Sequence, residues 1–139
     1  MEWMLLPLKR YADFEGRSRR MEYWMFQLGQ AIFFTVVTVL LFMIAALFGG
    51  TSGGGGAADV LIGIFAIVIG VLALALFIPA LAVQVRRLHD QSKSGWWILI
   101  SFVPFGGFVL LYFMFVEGDP GENQYGPDPK GPGAAETFT

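Results

Sequence analysis

The 139-residue chain contains no cysteine and a single histidine, His89. There can be no disulfide framework, no thiol nucleophile and no Cys-ligated metal. One histidine without cysteine also falls short of the three or four converging ligands that a zinc-type site needs. Charge is scarce as well, at 14% of residues, against about 25% in soluble globular domains. The apolar share is 55%, more than a soluble domain of this length can bury, and exposed apolar patches of that size drive association. The net charge of −2 carries little information, because the charges are sharply segregated along the chain.

No charged side chain occurs in three apolar runs, Trp24–Phe48, Val60–Val85 and Trp96–Val116. About 20 apolar residues cross the hydrocarbon core as a helix, and each run is that long. The expected fold is all-α: a multi-pass membrane helix bundle of three transmembrane helices, with an N-terminal amphipathic interfacial segment and an irregular C-terminal tail. Residues 1–130 are expected to form one membrane domain, and 131–139 a disordered end. The first run is read as a retained span. Its apolar part exceeds the 7–15 residues of a signal peptide, and a long mixed-charge segment precedes it.

Lys9, Arg10, Arg17, Arg19 and Arg20 precede the first run, while the connector GGTSGGGGAAD that follows it has no basic residue. The second connector carries Arg86, Arg87 and Lys93; the tail has Lys130 against Glu117, Asp119, Glu122, Asp128 and Glu136. Short loops rich in Lys and Arg stay cytoplasmic. This predicts a cytoplasmic N-terminus, an outer glycine loop, a cytoplasmic second connector and a periplasmic C-terminus. Pro104 and Gly106–Gly107 interrupt the third run near its centre. A kinked full crossing is preferred, since membrane helices tolerate Pro and Gly; a re-entrant hairpin, which would return the tail to the cytoplasm, is the alternative.

Residues Trp3–Phe14 interleave apolar side chains with Lys9, Arg10 and Asp13, a pattern for a segment lying on the leaflet. Ser18 stands where a helix N-cap belongs, and Glu22 favours the positive end of that helix's dipole. Tyr23 and Trp24 suit the headgroup level. In the first span Gln27, Ala31, Thr35, Thr38 and Ala45 recur at heptad-like spacing; in the second, Gly63, Ala66, Gly70 and Ala73 form a small-residue stripe. Close approach at small residues and interhelical hydrogen bonds hold membrane helices together, so these stripes are expected to make the seam, with Gln27 and Gln84 bonding across it or nearby. Pro79 should bend the second span. Gly53–Gly56 has neither a preceding strand nor a following GK[ST], so it reads as a flexible link rather than a phosphate loop.

The densest polar stretch is VQVRRLHDQSKSGWW, Val83–Trp97. Catalysis would need a nucleophile, a base and an orienting group within reach, yet Ser92 and Ser94 fall on a short polar turn, and adjacent His89 and Asp90 point apart on a helix. Each residue has an interfacial role instead. Arg86 and Arg87 complement a helix C-terminus and meet lipid phosphates, Asp90 caps or pairs with an arginine, and Trp96 and Trp97 anchor the third helix. His89, with a pKa of about 6.5 in isolation, could sense pH or bond a headgroup, but a structural role is favoured.

Three separated stretches, FEGRSRRMEYW (Phe14–Trp24), RRLHDQSKSGWW (Arg86–Trp97) and PGENQYGPDPK (Pro120–Lys130), resemble the bacterial inner-membrane proteins of domain-of-unknown-function family 805, the YhaH-like proteins. The resemblance runs from about Trp3 to Lys130. It departs from the family's usual pattern at Gln91-Ser92-Lys93, where a glycine is common. It implies a small multi-pass inner-membrane protein and supplies no activity and no catalytic residue. It also suggests that Arg17, Arg19, Arg20 and Glu22 meet Arg86, Arg87 and Asp90 on one side. With a hairpin in the third run, Glu122, Asn123 and Asp128 could join them.

The leading expectation is a non-enzymatic accessory, scaffolding or assembly component that binds other membrane proteins, itself, or a bilayer with anionic headgroups. No cofactor, metal or nucleic-acid partner is expected. The candidate interface or interaction residues are Arg17, Arg19, Arg20, Glu22, Trp24, Arg86, Arg87, His89, Asp90, Trp96 and Trp97. A small transporter or channel component acting as an oligomer is the alternative, although ionisable residues that mark ion pathways are missing from the runs; flux in proteoliposomes separates the two. A lipid-headgroup enzyme using His89 and Asp90 is the third.

Overall fold

A charge-free run in lipid has no water to satisfy its amides, so its backbone must close its own hydrogen bonds as helix. The first two runs do so. In the computed structural model, which describes residues 2–48 and 56–131, the elements are α1 (Glu2–Lys9), α2 (Arg20–Phe48) and α3 (Ala57–His89), a 3-10 helix (Gly95–Phe102) and α4 (Gly106–Phe115). No strand occurs among the described residues; one isolated bridge joins Asn123 and Gly126 in the tail. The expected helical membrane architecture is therefore the one observed. Most of the glycine connector and the end of the tail, for which a flexible link and disorder were expected, lie outside the described residues.

α2 and α3 are long and apolar enough to cross a membrane, and none of either hydrophobic window is buried within the protein. That separates them from the core helices of a soluble domain, whose apolar faces are covered. Their middle portions, Leu28–Phe77, form one compact unit. Within it Gln30 donates from Nε2 to the Leu76 carbonyl at 3.2 Å. The small-residue seam is not found: a Cβ built on Gly63 or Gly70 would meet nothing within 4 Å. Gln27, expected to bond across helices, donates instead to Tyr23 Oη one turn back on its own helix, at 3.2 Å. The cross-helix amide is Gln30, one turn further in. α3 continues unbroken through Pro79.

The third run departs from the preferred expectation. It is not one crossing helix but two short limbs, the eight-residue 3-10 helix and the ten-residue α4, folded against each other. At about 2.0 Å per 3-10 residue and about 1.5 Å per α residue, each limb reaches roughly 15 Å, half of the ~30 Å hydrocarbon core. The reversal is local in origin. Val103 is extended, Phe105 adopts the left-handed conformation with φ of 65°, and Gly106 starts the return limb. Any Cβ at Gly106 would collide with the Ile100 carbonyl, so glycine sets how closely the limbs approach. Trp97 and Phe113 meet edge-to-face across the pair at 5.5 Å.

The second compact unit comprises the chain up to Gln27 and from Ile78 onward. Its core is Tyr23, Phe26, Val83, Leu88, Leu110 and Met114. The start of α2, the end of α3 and α4 each contribute two of these residues. Trp24 fixes α4 further: its indole donates to the Met114 carbonyl at 3.3 Å and its ring lies 4.5 Å from that of Phe115. The hairpin is thus a built part of this unit.

Candidate functional site

The limbs of the hairpin begin and end beside the same polar cluster. α3 delivers Arg86 and Arg87 on its last turn and Asp90 just beyond it; the N-terminal arm delivers Arg17 immediately before α2, and α2 delivers Glu22 on its first turn. All five are buried, with Glu22, Arg86 and Arg87 fully so. Burying a charge is costly unless it is paired, and the pairing is direct. Arg86 Nη2 bonds Glu22 Oε1 at 3.0 Å, Arg17 Nε bonds Asp90 Oδ1 at 2.9 Å, and Arg87 Nη1 bonds Asp90 Oδ2. Half-exposed Asp13 lies 3.9 Å from Arg86.

Three buried guanidiniums against two buried carboxylates leave positive charge over, and the tail supplies what answers it. Arg17 donates to the carbonyls of Asp119 and Gly121, Arg19 to that of Pro129, Arg20 to that of Phe115, and Arg87 to that of Val116. Arg20 also pairs with Glu117. In return the Asp119 amide donates to the Asp90 carbonyl at 2.8 Å, and Asn123 Nδ2 to the His89 carbonyl at 2.9 Å. Gln91 Nε2 donates to the Phe113 carbonyl. Gly118 lies so close to Asp90 that a Cβ there would overlap the carboxylate. Among the described residues, Arg86 Nε and Nη1 and Arg87 Nε are buried without a hydrogen-bond partner. Burial raises the Asp90 carboxyl above its ordinary value, against the pull of Arg87 and Arg17. The Asp128 carboxyl is lowered because the Lys130 and Gly121 amides donate to it.

The residues singled out in the sequence divide three ways. Arg17, Glu22, Arg86, Arg87 and Asp90 come together as the resemblance suggested, whereas Arg19 and Arg20 bond the tail at the Pro129 and Phe115 carbonyls, and Asn123 reaches the His89 carbonyl. The expectation that Arg86 and Arg87 meet lipid phosphates fails, because both face inward and are fully buried. Ser18 does not begin the helix as its cap; α2 starts at Arg20, and the Ser18 amide is held by the Arg86 carbonyl at 3.2 Å. Trp96 and Trp97 are exposed and stand on the 3-10 limb, not on a spanning helix. His89 and Asp90 serve different partners. The His89 ring stacks on Tyr125 with centroids 3.9 Å apart, and its Nδ1 lies 3.3 Å from the Gly16 carbonyl.

The tail's place is the main correction. It was expected across the membrane from the N-terminal arm, and it packs on that arm. Two short limbs cannot carry the chain across a full bilayer, so the tail returns to the end of the unit from which the hairpin left. Sequence reasoning also missed Gln91, Gly118 and Tyr125. Only the turn-rich PGENQYGPDPK stretch hinted that the tail had a fixed path.

The chain matches the family model described as "Protein of unknown function (DUF805)" over residues 11–127. It is 43% identical over 131 residues to Inner membrane protein YhaH of Escherichia coli (strain K12), covering 94% of this chain and 98% of that protein. It is 42% identical over 131 residues to Inner membrane protein YhaI of the same organism, covering 94% of this chain and 97% of the relative. No solved structure matches the chain.

Proposed function

This chain belongs to the DUF805 family, and from that premise we propose that it is a multi-pass protein of the bacterial inner membrane, a non-enzymatic accessory or assembly component, with its N-terminal arm and its tail both cytoplasmic. The inner-membrane location follows from relatives of nearly equal length. The cytoplasmic side follows from the basic arm and second connector, and the tail shares that side because it is bonded to both.

The observation that supports an accessory role is the direction in which the polar groups face. Arg17, Arg86 and Arg87 are turned inward onto Glu22, Asp90 and the tail's own carbonyls. What α2, α3 and the hairpin offer their surroundings is apolar: the flanks of the two long helices and the hairpin tip, where Phe102 and Phe105 are 84% and 81% exposed. The open backbone at Gly63 and Gly70 lets another helix approach closely, the geometry through which membrane helices associate. The test is to excise the full chain with its native lipid, crosslink and weigh the particles. Oligomers or reproducible partner complexes are expected; a strictly monomeric particle without partners refutes the reading.

A further inference from the structure

One end of the packed unit holds a groove of about 530 Å³ that the arginine cluster does not use. Its wall includes Leu81 and Val85 from α3 and Leu99 from the 3-10 limb, and its polar groups are those of His89, Ser94 and Tyr125, with Phe14 also in the lining. The volume lies within the roughly 300–1,000 Å³ of small-molecule sites. The groove also reaches Trp96, which is 78% exposed and of the residue type that settles at the headgroup level. An apolar groove beside a residue that settles at the headgroup level suits an acyl chain.

The polar groups decide which lipid. A carbonyl only accepts, so the His89 Nδ1 facing the Gly16 carbonyl at 3.3 Å carries the ring proton. With an unperturbed pKa of about 6.5, the ring is mostly neutral at pH 7, and its Nε2 is then an acceptor. That nitrogen makes no hydrogen bond to any described residue, and it lies 3.7 Å from where a Gly95 Cβ would stand, on the groove's lining. The site therefore asks for a donor. Tyr125 is stacked parallel to the histidine, and Phe14 lines the same groove; aromatic rings attract cations such as ammonium groups. Among the described residues no Lys or Arg lines the groove, so a net anionic headgroup would find no countercharge there, whereas a zwitterionic one brings its own.

We propose that this groove seats one amine-headed phospholipid, an acyl chain lying along Leu81, Val85 and Leu99 and the primary ammonium donating to His89 Nε2 beside Tyr125 and Phe14. The groove's lining differs from the basic arm in having no Lys or Arg among the described residues, so the site is distinct from any attraction of the arm to anionic lipid. The trimethylated headgroup of phosphatidylcholine keeps the positive charge and has no N–H to donate, so the two headgroups separate the hydrogen bond from the aromatic contribution.

The full chain is reconstituted in vesicles of equal dioleoyl-phosphatidylethanolamine, -phosphatidylcholine and -phosphatidylglycerol and ejected for native mass spectrometry. One retained phosphatidylethanolamine per chain is expected, favoured over phosphatidylcholine by roughly tenfold for one charge-assisted bond. His89→Phe, which keeps a ring against Tyr125, should erase that preference while the chain still binds lipid. Leu81→Trp, which fills the groove and leaves His89 in place, should lower retention of every lipid by at least ~tenfold. Preference for phosphatidylglycerol, equal retention of all three headgroups, or retention unaffected by Leu81→Trp would each overturn the assignment. If His89→Phe does not fold, the headgroup preference of the wild-type chain and the Leu81→Trp variant still decide it.

Discussion

Asp90→Ala isolates the charge balance under the tail. The carboxylate accepts Arg17 Nε at 2.9 Å on one oxygen and Arg87 Nη1 on the other, with side-chain exposures of 1%, 0% and 4% for Arg17, Arg87 and Asp90. Alanine removes the only carboxylate bonded to either of these two guanidiniums within the buried cluster, but keeps the backbone carbonyl that holds the Asp119 amide at 2.8 Å. The loss therefore reports on the carboxylate alone. Breaking a buried pair from one side costs about 3–5 kcal/mol. The lower end applies, because Arg17 retains the Asp119 and Gly121 carbonyls and Arg87 retains that of Val116. Against a total stability of about 5–15 kcal/mol, such a loss is large enough to read directly. The assay is equilibrium unfolding of the full chain in mixed micelles, followed by tryptophan fluorescence. Removing one stranded cation as well, in Asp90→Ala/Arg87→Met, should recover more than about 1 kcal/mol relative to the sum of the single losses. A single-variant loss under about 0.5 kcal/mol, the range of ordinary surface changes, or strictly additive variants, would refute the reasoning.

Gly106→Ala should cost about 1–3 kcal/mol, as overpacking does, and should change Trp97 fluorescence, since its Cβ would drive the limbs apart at Ile100. Gly107→Ala, whose Cβ meets nothing within 4 Å, is the control and should be neutral or stabilising by up to about 1 kcal/mol from helix propensity. Reporters fused in turn to the N- and C-termini should respond from the same side of the membrane; opposite sides would rule out the hairpin. Asp128 gives a pH dependence of definite sign. Its carboxyl is lowered from 3.8 by the Lys130 and Gly121 amides, so its contribution is complete above that value and is lost as pH falls through the lowered one. Protection of the Gly121 and Lys130 amides, measured as exchange relative to the intrinsic rate at each pH, should fall in that acid range, and Asp128→Asn should abolish that change.

The two long helices were legible because length and hydropathy suffice to define a span, and nothing else in the sequence competes with lipid for them. The third run was not, because composition is the same for a crossing and for a hairpin of equal length. What distinguishes them is the left-handed Phe105 and the bare Cα of Gly106 against Ile100, and the sequence shows only a Pro-Phe-Gly-Gly that suits a kink equally well. The arginines were correctly grouped and wrongly faced. Positive charge at the end of a span reads as lipid-facing because its sign is visible in the sequence, whereas Arg86 and Arg87 turn inward onto Glu22, Asp90 and the Val116 carbonyl, and no sequence marks which way a guanidinium turns. The small-residue stripes failed for a related reason. Gly63 and Gly70 permit close approach, but permission does not identify the neighbour.

The bond from Arg17 to the Asp119 carbonyl joins positions 102 residues apart. At about 5–20 residues per second, the ribosome takes roughly 5–20 seconds to make the second partner after the first has emerged. For that interval the arm's guanidinium waits at the membrane surface without the strand of chain that will cover it, and both long helices must insert before it arrives. Closure is thus the final act of synthesis. A product terminated before the tail would carry two long apolar helices and guanidiniums at Arg17 and Arg87 without the carbonyls that answer them.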